Sequence, residues 1–206
     1  MSFEKNVFIN CPFDDSYLNN ILKPIVFIVV KNGFHPCLSL NKSDSGESRL
    51  EKITVLMQHA KYSIHDLSLI KSKRKNEYAR MNMPFELGID YGLRKSGQRP
   101  FDEKKFLILG GEKYDYMKAL SDINGFDIKI HEHNTITVIE RMYAWFTETV
   151  DIRKQPPPGK IFDDYILFNT LLFNEKEVEL GSEALAKNYM EHLKIPEYID
   201  EIKERM

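Results

Sequence analysis

The residues whose types and spacing could do chemistry gather around two short stretches. Ser63-Ile64-His65-Asp66-Leu67-Ser68 reads as a buried strand that ends in polar residues. Asn82-Met83-Pro84-Phe85-Glu86-Leu87-Gly88 reads as the opening of a helix, with Pro84 supplying a pre-set φ in the first turn and Glu86 expected in that same turn. A carboxylate there is either a helix-end charge, worth about 0.3–1 kcal/mol, or a reacting group. Asp90 lies four residues on, and like charges at that spacing repel on a helix surface, which counts against a purely stabilising role. Gly88 and Gly92 leave one helix surface without side chains, open to close approach by a backbone or ligand.

Other candidates follow the same logic. Asp66 is either a cap on the turn after its strand or part of a carboxylate cluster, and Asn10 and Asp14 are either turn residues or members of that cluster. Paired carboxylates support chemistry when their surroundings push their pKa values apart. Arg49 is either a solvated surface arginine or a bidentate grip on a phosphate or carboxylate. Ser68 and Asn82 stand at the ends of the two stretches and complete the expected binding set. Cys11 and His65 suit a nucleophile and base by type, but a buried cysteine is ordinarily a small hydrophobe. No HExxH pattern occurs, the two cysteines do not suggest zinc, and Gly46 alone makes no phosphate-binding loop, so no metal site is expected.

The elements that must position these groups alternate in type. Asn6–Asn10 reads as a buried strand, followed by a turn and a helix from Tyr17 to Lys31, with Pro24 demanding a kink or a later start. Phe34–Leu40 is a strand interrupted by Pro36, and Asn41–Glu47 is a polar loop. A helix is expected from Leu50 to Ala60, a strand over Tyr62–Leu67, and a charged exposed loop over Lys71–Arg80. The Glu86 helix runs to about Arg94. Lys105–Leu109 is a strand, Tyr114–Asp122 a short helix, Phe126–Ile130 an edge strand and Ile136–Val150 an amphipathic helix. Residues 1–150 thus read as one α/β domain, 151–160 as a proline-rich linker, and 161–206 as a helical extension in three short helices. Strand–helix alternation with short connections predicts an open, mainly parallel sheet with helices on both faces. Ligands of such sheets bind beyond the carboxyl ends of the strands, where Asn10–Asp15, Ser43–Arg49, Asp66–Ser68 and the start of the Glu86 helix should converge.

Bulk properties narrow the function. Twenty-nine basic and 31 acidic residues nearly balance in 206, so no broad field points to nucleic acid or a membrane surface. No apolar run is long enough to span a bilayer, and the first ten residues lack a signal-peptide pattern, so a cytoplasmic address is expected.

The order of these pieces resembles the TIR-like and nucleoside 2-deoxyribosyltransferase-like nucleotide-binding families. The matching residues are Val7-Phe8-Ile9-Asn10 with Asp14-Asp15, then Tyr62-Ser63-Ile64-His65-Asp66-Leu67-Ser68, then Phe85-Glu86-Leu87-Gly88, within about residues 5 to 110. The resemblance implies a flavodoxin-like fold and cleavage of an N-glycosidic bond on NAD or a related nucleotide, in a bacterial antiphage setting. Glu86 matches the families' key carboxylate. The alternatives it leaves are deoxyribosyl transfer through a covalent intermediate on that glutamate, and a sensor that binds a nucleotide without turnover. The nucleotide is then substrate or ligand rather than cofactor, and the expected partners are further copies of the chain or a defence-system protein. Departures are the long charged loop at Lys71–Arg80 and Asn10-Cys11-Pro12-Phe13 in place of the serine and aromatic usual in TIR chains.

Overall fold

Strand β1 (Asn6–Asn10) is buried along its whole length, which is why it reads as an uninterrupted apolar run. The computed structural model describes residues 2–12, 14–39, 46, 48–70 and 81–206. The loops expected at Asn41–Glu47, apart from Gly46, and at Lys71–Arg80 lie outside the described residues, as does Phe13. After β1 the chain makes one helical turn, α1 (Asp15–Tyr17), a π turn over Leu18–Leu22, and then α2 (Lys23–Lys31). Pro24 sits at the start of α2, where its missing N–H is tolerated, and the wider turn before it takes up the disruption. Gly33, at φ +76°, ends that helix as only glycine does without strain.

Strand β2 (His35–Cys37) is shorter than expected, and Pro36 is accommodated because β2 is an edge strand. Helix α3 (Arg49–Gln58) starts at Ser48, whose hydroxyl accepts from the Glu51 N–H. Strand β3 (Tyr62–Asp66) and then α4 (Asn82–Lys95) are the next elements described. Next comes β4 (Lys105–Gly110). The helix expected over Tyr114–Asp122 is instead two single 3₁₀ turns, Tyr116–Lys118 and Ser121–Ile123. Of the expected Phe126–Ile130 strand, only Lys129–Ile130 pairs, as β5. Asn134 caps α5 (Thr135–Glu148) by accepting from the Ile136 and Thr137 N–H groups.

The five strands are all parallel, in the order β2-β1-β3-β4-β5. This is the open, flavodoxin-like α/β arrangement that the strand–helix alternation predicts. Side chains of β1 alternate between two cores. Val7 and Ile9 pack on the α2 and α5 side, while Phe8 meets Ile53, Met57 and Ala60 on the α3 and α4 side.

Helix α2 is apolar all round. Every residue from Lys23 to Val30 is buried, so a covering on its outer side is a physical requirement. The C-terminal chain supplies it. The prolines expected as a linker end in the first residue of a helix: Pro157 is extended and Pro158 opens α6 (Pro158–Leu180), at 23 residues longer than expected. Helices α7 (Glu183–His192) and α8 (Ile195–Glu204) follow. Ile161, Tyr165, Phe168 and Leu172 of α6 and Ile195, Tyr198, Ile199 and Ile202 of α8 join the same core as α2 and α5. Phe27 of α2 packs its ring against Tyr165 and Phe168 at 5.5 and 5.6 Å. Among the described residues no helix is long and apolar enough to cross a membrane.

Removing residues 156–206 strips α2 of buried partners worth about 1.5–3 kcal/mol each, against a usual net stability of about 5–15 kcal/mol. A chain ending at Gln155 should therefore show no cooperative thermal transition and should bind a hydrophobic dye. A sharp transition near that of the full chain would show that α2 needs no such cover.

Candidate functional site

Strand order reverses between β1 and β3, the position where doubly wound sheets bind ligands at their carboxyl rim. The residues that follow those two strands set the floor of the candidate site. Asn10, the last residue of β1, is buried. Its Nδ2 donates to His65 Nδ1 (3.1 Å) and to the Met83 carbonyl (3.1 Å), tying β1 to the first turn of α4. Because a carbonyl can only accept, that amide nitrogen is assigned, and His65 Nδ1 must be unprotonated. The proton is then on Nε2, which donates to Asp90 Oδ2 at 3.0 Å. Asp90 Oδ1 lies 3.1 Å from Lys104 Nζ, and Lys104 also donates to the carbonyls of Met57 (2.7 Å) and Ala60. His65, Asp90 and Lys104 are all buried. Burial alone would raise the Asp90 pKa, but the His65 hydrogen bond and the Lys104 charge hold it below the ordinary value.

This corrects the surface reading of Asp90. It is no exposed partner of Glu86 in like-charge repulsion but an inward pin on α4. Residues four apart share a helix face, so the pin also turns Glu86 inward, toward the sheet. Glu86 is 5% exposed. The helix begins at Asn82, so Glu86 is its fifth residue and lies past the first turn, where dipole stabilisation fades. The one described ion pair of this carboxylate is a long one, 3.7 Å from Oε1 to Nη2 of a half-exposed Arg49 at the start of α3. Burial pushes the Glu86 pKa up, and the Arg49 charge offsets part of that rise. No backbone of the described residues approaches the two helix glycines: a Cβ at Gly88 or Gly92 would meet nothing within 4 Å, so that surface is open.

Asp66 is built in the opposite way. Its Oδ2 accepts from Tyr17 Oη (2.7 Å) and His131 Nε2 (3.0 Å), and its Oδ1 from the Ser68 N–H (2.7 Å) and hydroxyl. All four lone-pair directions of the carboxylate are thereby filled. Burial works to raise its pKa, but the His131 and Ser68 hydrogen bonds bring it below the ordinary value. His131 Nδ1 accepts from the His133 N–H (3.0 Å), which fixes the proton on Nε2. Glu132 and His133 both have φ of +54°, a costly backbone for residues with side chains. They bring the His133 ring so close to Gly111 that a Cβ there would collide with it.

A cavity of about 390 Å³ opens above this cluster, lined by Asp14, Tyr17, Ser68, Glu112, Asp115 and His133 among others. Asp14 also caps α1, its Oδ1 accepting from the Tyr17 N–H at 2.8 Å. Cys11, just after β1, is buried. Burial, then the Asp66 and Glu86 charges, push its thiol pKa far up, so it is no thiolate nucleophile.

Of the sequence-derived set, Asn10 and Asp66 form the buried floor, Asp14 and Ser68 line the cavity, and Arg49 meets Glu86. Asn82, at the start of α4, is exposed and apart from these contacts. Sequence reasoning missed Tyr17, His131, His133 and Lys104. The signal available for the two histidines was His131-Glu132-His133 just after the last apolar strand; Lys104 gave none. Among the described residues no group of three or more His, Cys, Asp or Glu side chains is arranged to hold a metal ion. No known protein family, curated protein or solved structure matches the chain.

Two stability predictions follow from these environments. Asp90→Ala leaves Lys104 buried and unpaired, which should cost about 3–5 kcal/mol in urea unfolding; a loss below about 1 kcal/mol would mean the pin is not needed. Glu86 has a raised folded-state pKa, so its contribution is favourable below the ordinary glutamate value, about 4.3, and is lost as pH rises through the folded value. Glu86→Gln should therefore melt higher than the parent at pH 7, with the difference closing as pH falls below about 4. A lower melting temperature at pH 7 would contradict this.

Proposed function

We propose that the chain cleaves the N-glycosidic bond of NAD or a related nucleotide, with Glu86 as the carboxylate that meets the anomeric carbon. The observation that carries this reading is the state of Glu86: buried, raised in pKa and, among the described residues, in one long ion pair, at the rim where such folds bind ligands. As the C1′–N bond breaks, its electron pair leaves with the base and positive charge builds on C1′ and the ring oxygen. A poorly solvated carboxylate already in place gains more from that charge than a solvated one, either by stabilising it or by bonding C1′ before water does. A pyridinium base leaves neutral and needs no proton. Arg49, half exposed beside Glu86, is suited to hold a phosphate of the same ligand. Asp66 has no free lone pair for substrate and acts as the frame that holds Ser68 and Tyr17.

The TIR-like resemblance adds a setting to the reaction, antiphage defence in the cytoplasm, with assembly among copies or with a defence partner. The test is chromatography for free base after incubation with NAD and, separately, with deoxynucleosides. The parent should release base, and Glu86→Gln should lose at least about a hundredfold in rate while its circular dichroism is unchanged. Base released together with a new deoxynucleoside would mark a transferase. Nucleotide that binds and is recovered intact would make the cleft a sensor and end the enzymatic reading.

A further inference from the structure

The second feature of note lies away from Glu86, along the edge of β4. This strand has six residues, but β5 pairs only with its last two, Leu109 with Lys129 and Gly110 with Ile130. Successive residues of a strand turn their backbone groups to opposite edges. The Leu109 carbonyl accepts from the Leu67 N–H (2.9 Å) and the Lys105 N–H donates to the Lys61 carbonyl (2.9 Å), so odd-numbered residues of β4 face the β3 side. The Gly110 carbonyl accepts from the His131 N–H (3.0 Å), so even-numbered residues face the other side. Phe106 is therefore turned toward an edge that β5 does not reach.

A cavity of about 400 Å³ borders that edge. Tyr91, Phe126 and Trp145 form apolar walls, and Arg94 lies 5.5 Å over the Phe106 ring. Arg141 stands at the rim, fixed by its Nε donating to the Ile130 carbonyl at 2.9 Å. Arg94, Arg141 and Lys129 outnumber the lining acids Asp127 and Glu148, and Asp127 is already paired with Lys129 at 2.7 Å. On that edge Phe106 keeps both backbone groups clear of β5, whereas the Leu109–Lys129 pairing takes up the Ile108 carbonyl.

We propose that this edge receives an extended peptide segment of a partner protein. Three or four residues would add to the sheet beside Phe106, upstream of β5, with an acidic side chain directed to Arg94 and Arg141. Unpaired strand edges recruit such segments through main-chain hydrogen bonds, and flanking pockets select the side chains. The excess of guanidinium charge at the rim selects for acid.

The full chain is used to select binders from a displayed library of linear heptapeptides, and the selected peptides are then synthesised and titrated. Trp145 is the only tryptophan of the chain and lines the cavity, so its emission reports occupancy directly. Acidic peptides should be enriched and should shift that emission. They should bind exposed-site variant Arg94→Glu at least about tenfold more weakly, a loss of about 1.4 kcal/mol, and N-methylation of alternate peptide amides should abolish binding. The proposal fails if nothing is enriched over the bare support, or if Arg94→Glu or the N-methylated peptides bind equally well. It also fails if the parent sediments as a dimer that Arg94→Glu dissociates, since the occupant is then a second copy of the chain.

Discussion

A buried anion must be held by opposite charge or by donors, and Asp90, with a hydrogen bond at Oδ2 and a lysine charge at Oδ1, imposes that rule on the middle of the molecule. Its partners come from one strand and from the residue just ahead of another, and its own position from a helix: His65 on β3, Lys104 immediately before β4, Asp90 on α4. Asn10 extends the line to β1 and, through the Met83 carbonyl, back to α4. Few rotations of α4 satisfy this set. The one that does brings Glu86 round to the sheet together with Asp90. The orientation of the candidate reacting group is thus fixed by a residue one turn away that touches no ligand. A buried pair of this kind contributes little net stability compared with an apolar core; what it contributes here is register between helix and sheet.

The other face of the sheet is governed by burial rather than charge. A helix reading Lys23-Pro24-Ile25-Val26-Phe27-Ile28-Val29-Val30 cannot face water on any side. The chain after the prolines folds back over it, so α6 and α8 share the core of the α/β unit. Lys23 is reconciled with this burial by snorkelling: its Nζ reaches the Met190 carbonyl at 3.4 Å and lies over the Tyr198 ring. The rim that carries the candidate site is therefore set by one ionic face and one apolar face.

Much of this was legible in the sequence where a local signal existed. The strands β1 and β4 carry apolar runs, α5 has helical periodicity, and the strand–helix alternation gives the parallel sheet. Phe126–Ile130 alternates as an edge strand should, yet pairing stops at two residues, because register depends on what the neighbouring strand offers. Glu86 was expected in the first turn together with Pro84, but the helix starts at Asn82, so Pro84 is in that turn and Glu86, the fifth residue, lies just past it. Asp90 was misread because spacing along a helix says nothing about what lies across it. Its partners are 25 and 14 residues away, and a lysine such as Lys104 gives no sign that it will be buried. The same holds for Tyr17, 49 residues from the Asp66 it donates to. Long-range polar pairing was invisible; local pattern was not.

The two carboxylates at the rim differ in a way that assigns their parts. Asp66 accepts four hydrogen bonds and is held in its ionised form, so a further donor from a ligand would have to displace one already made. Among the described residues Glu86 has one distant cation, and its burial disfavours its charge. A protein gains nothing in stability by keeping a carboxylate in that condition, whereas a developing positive charge beside it would relieve the condition at once. Environments that push two neighbouring acids in opposite directions separate structural from reactive duty. The saturated acid holds Tyr17, Ser68 and His131 in place, and on the proposed reading Glu86 is the carboxylate left to meet a cation.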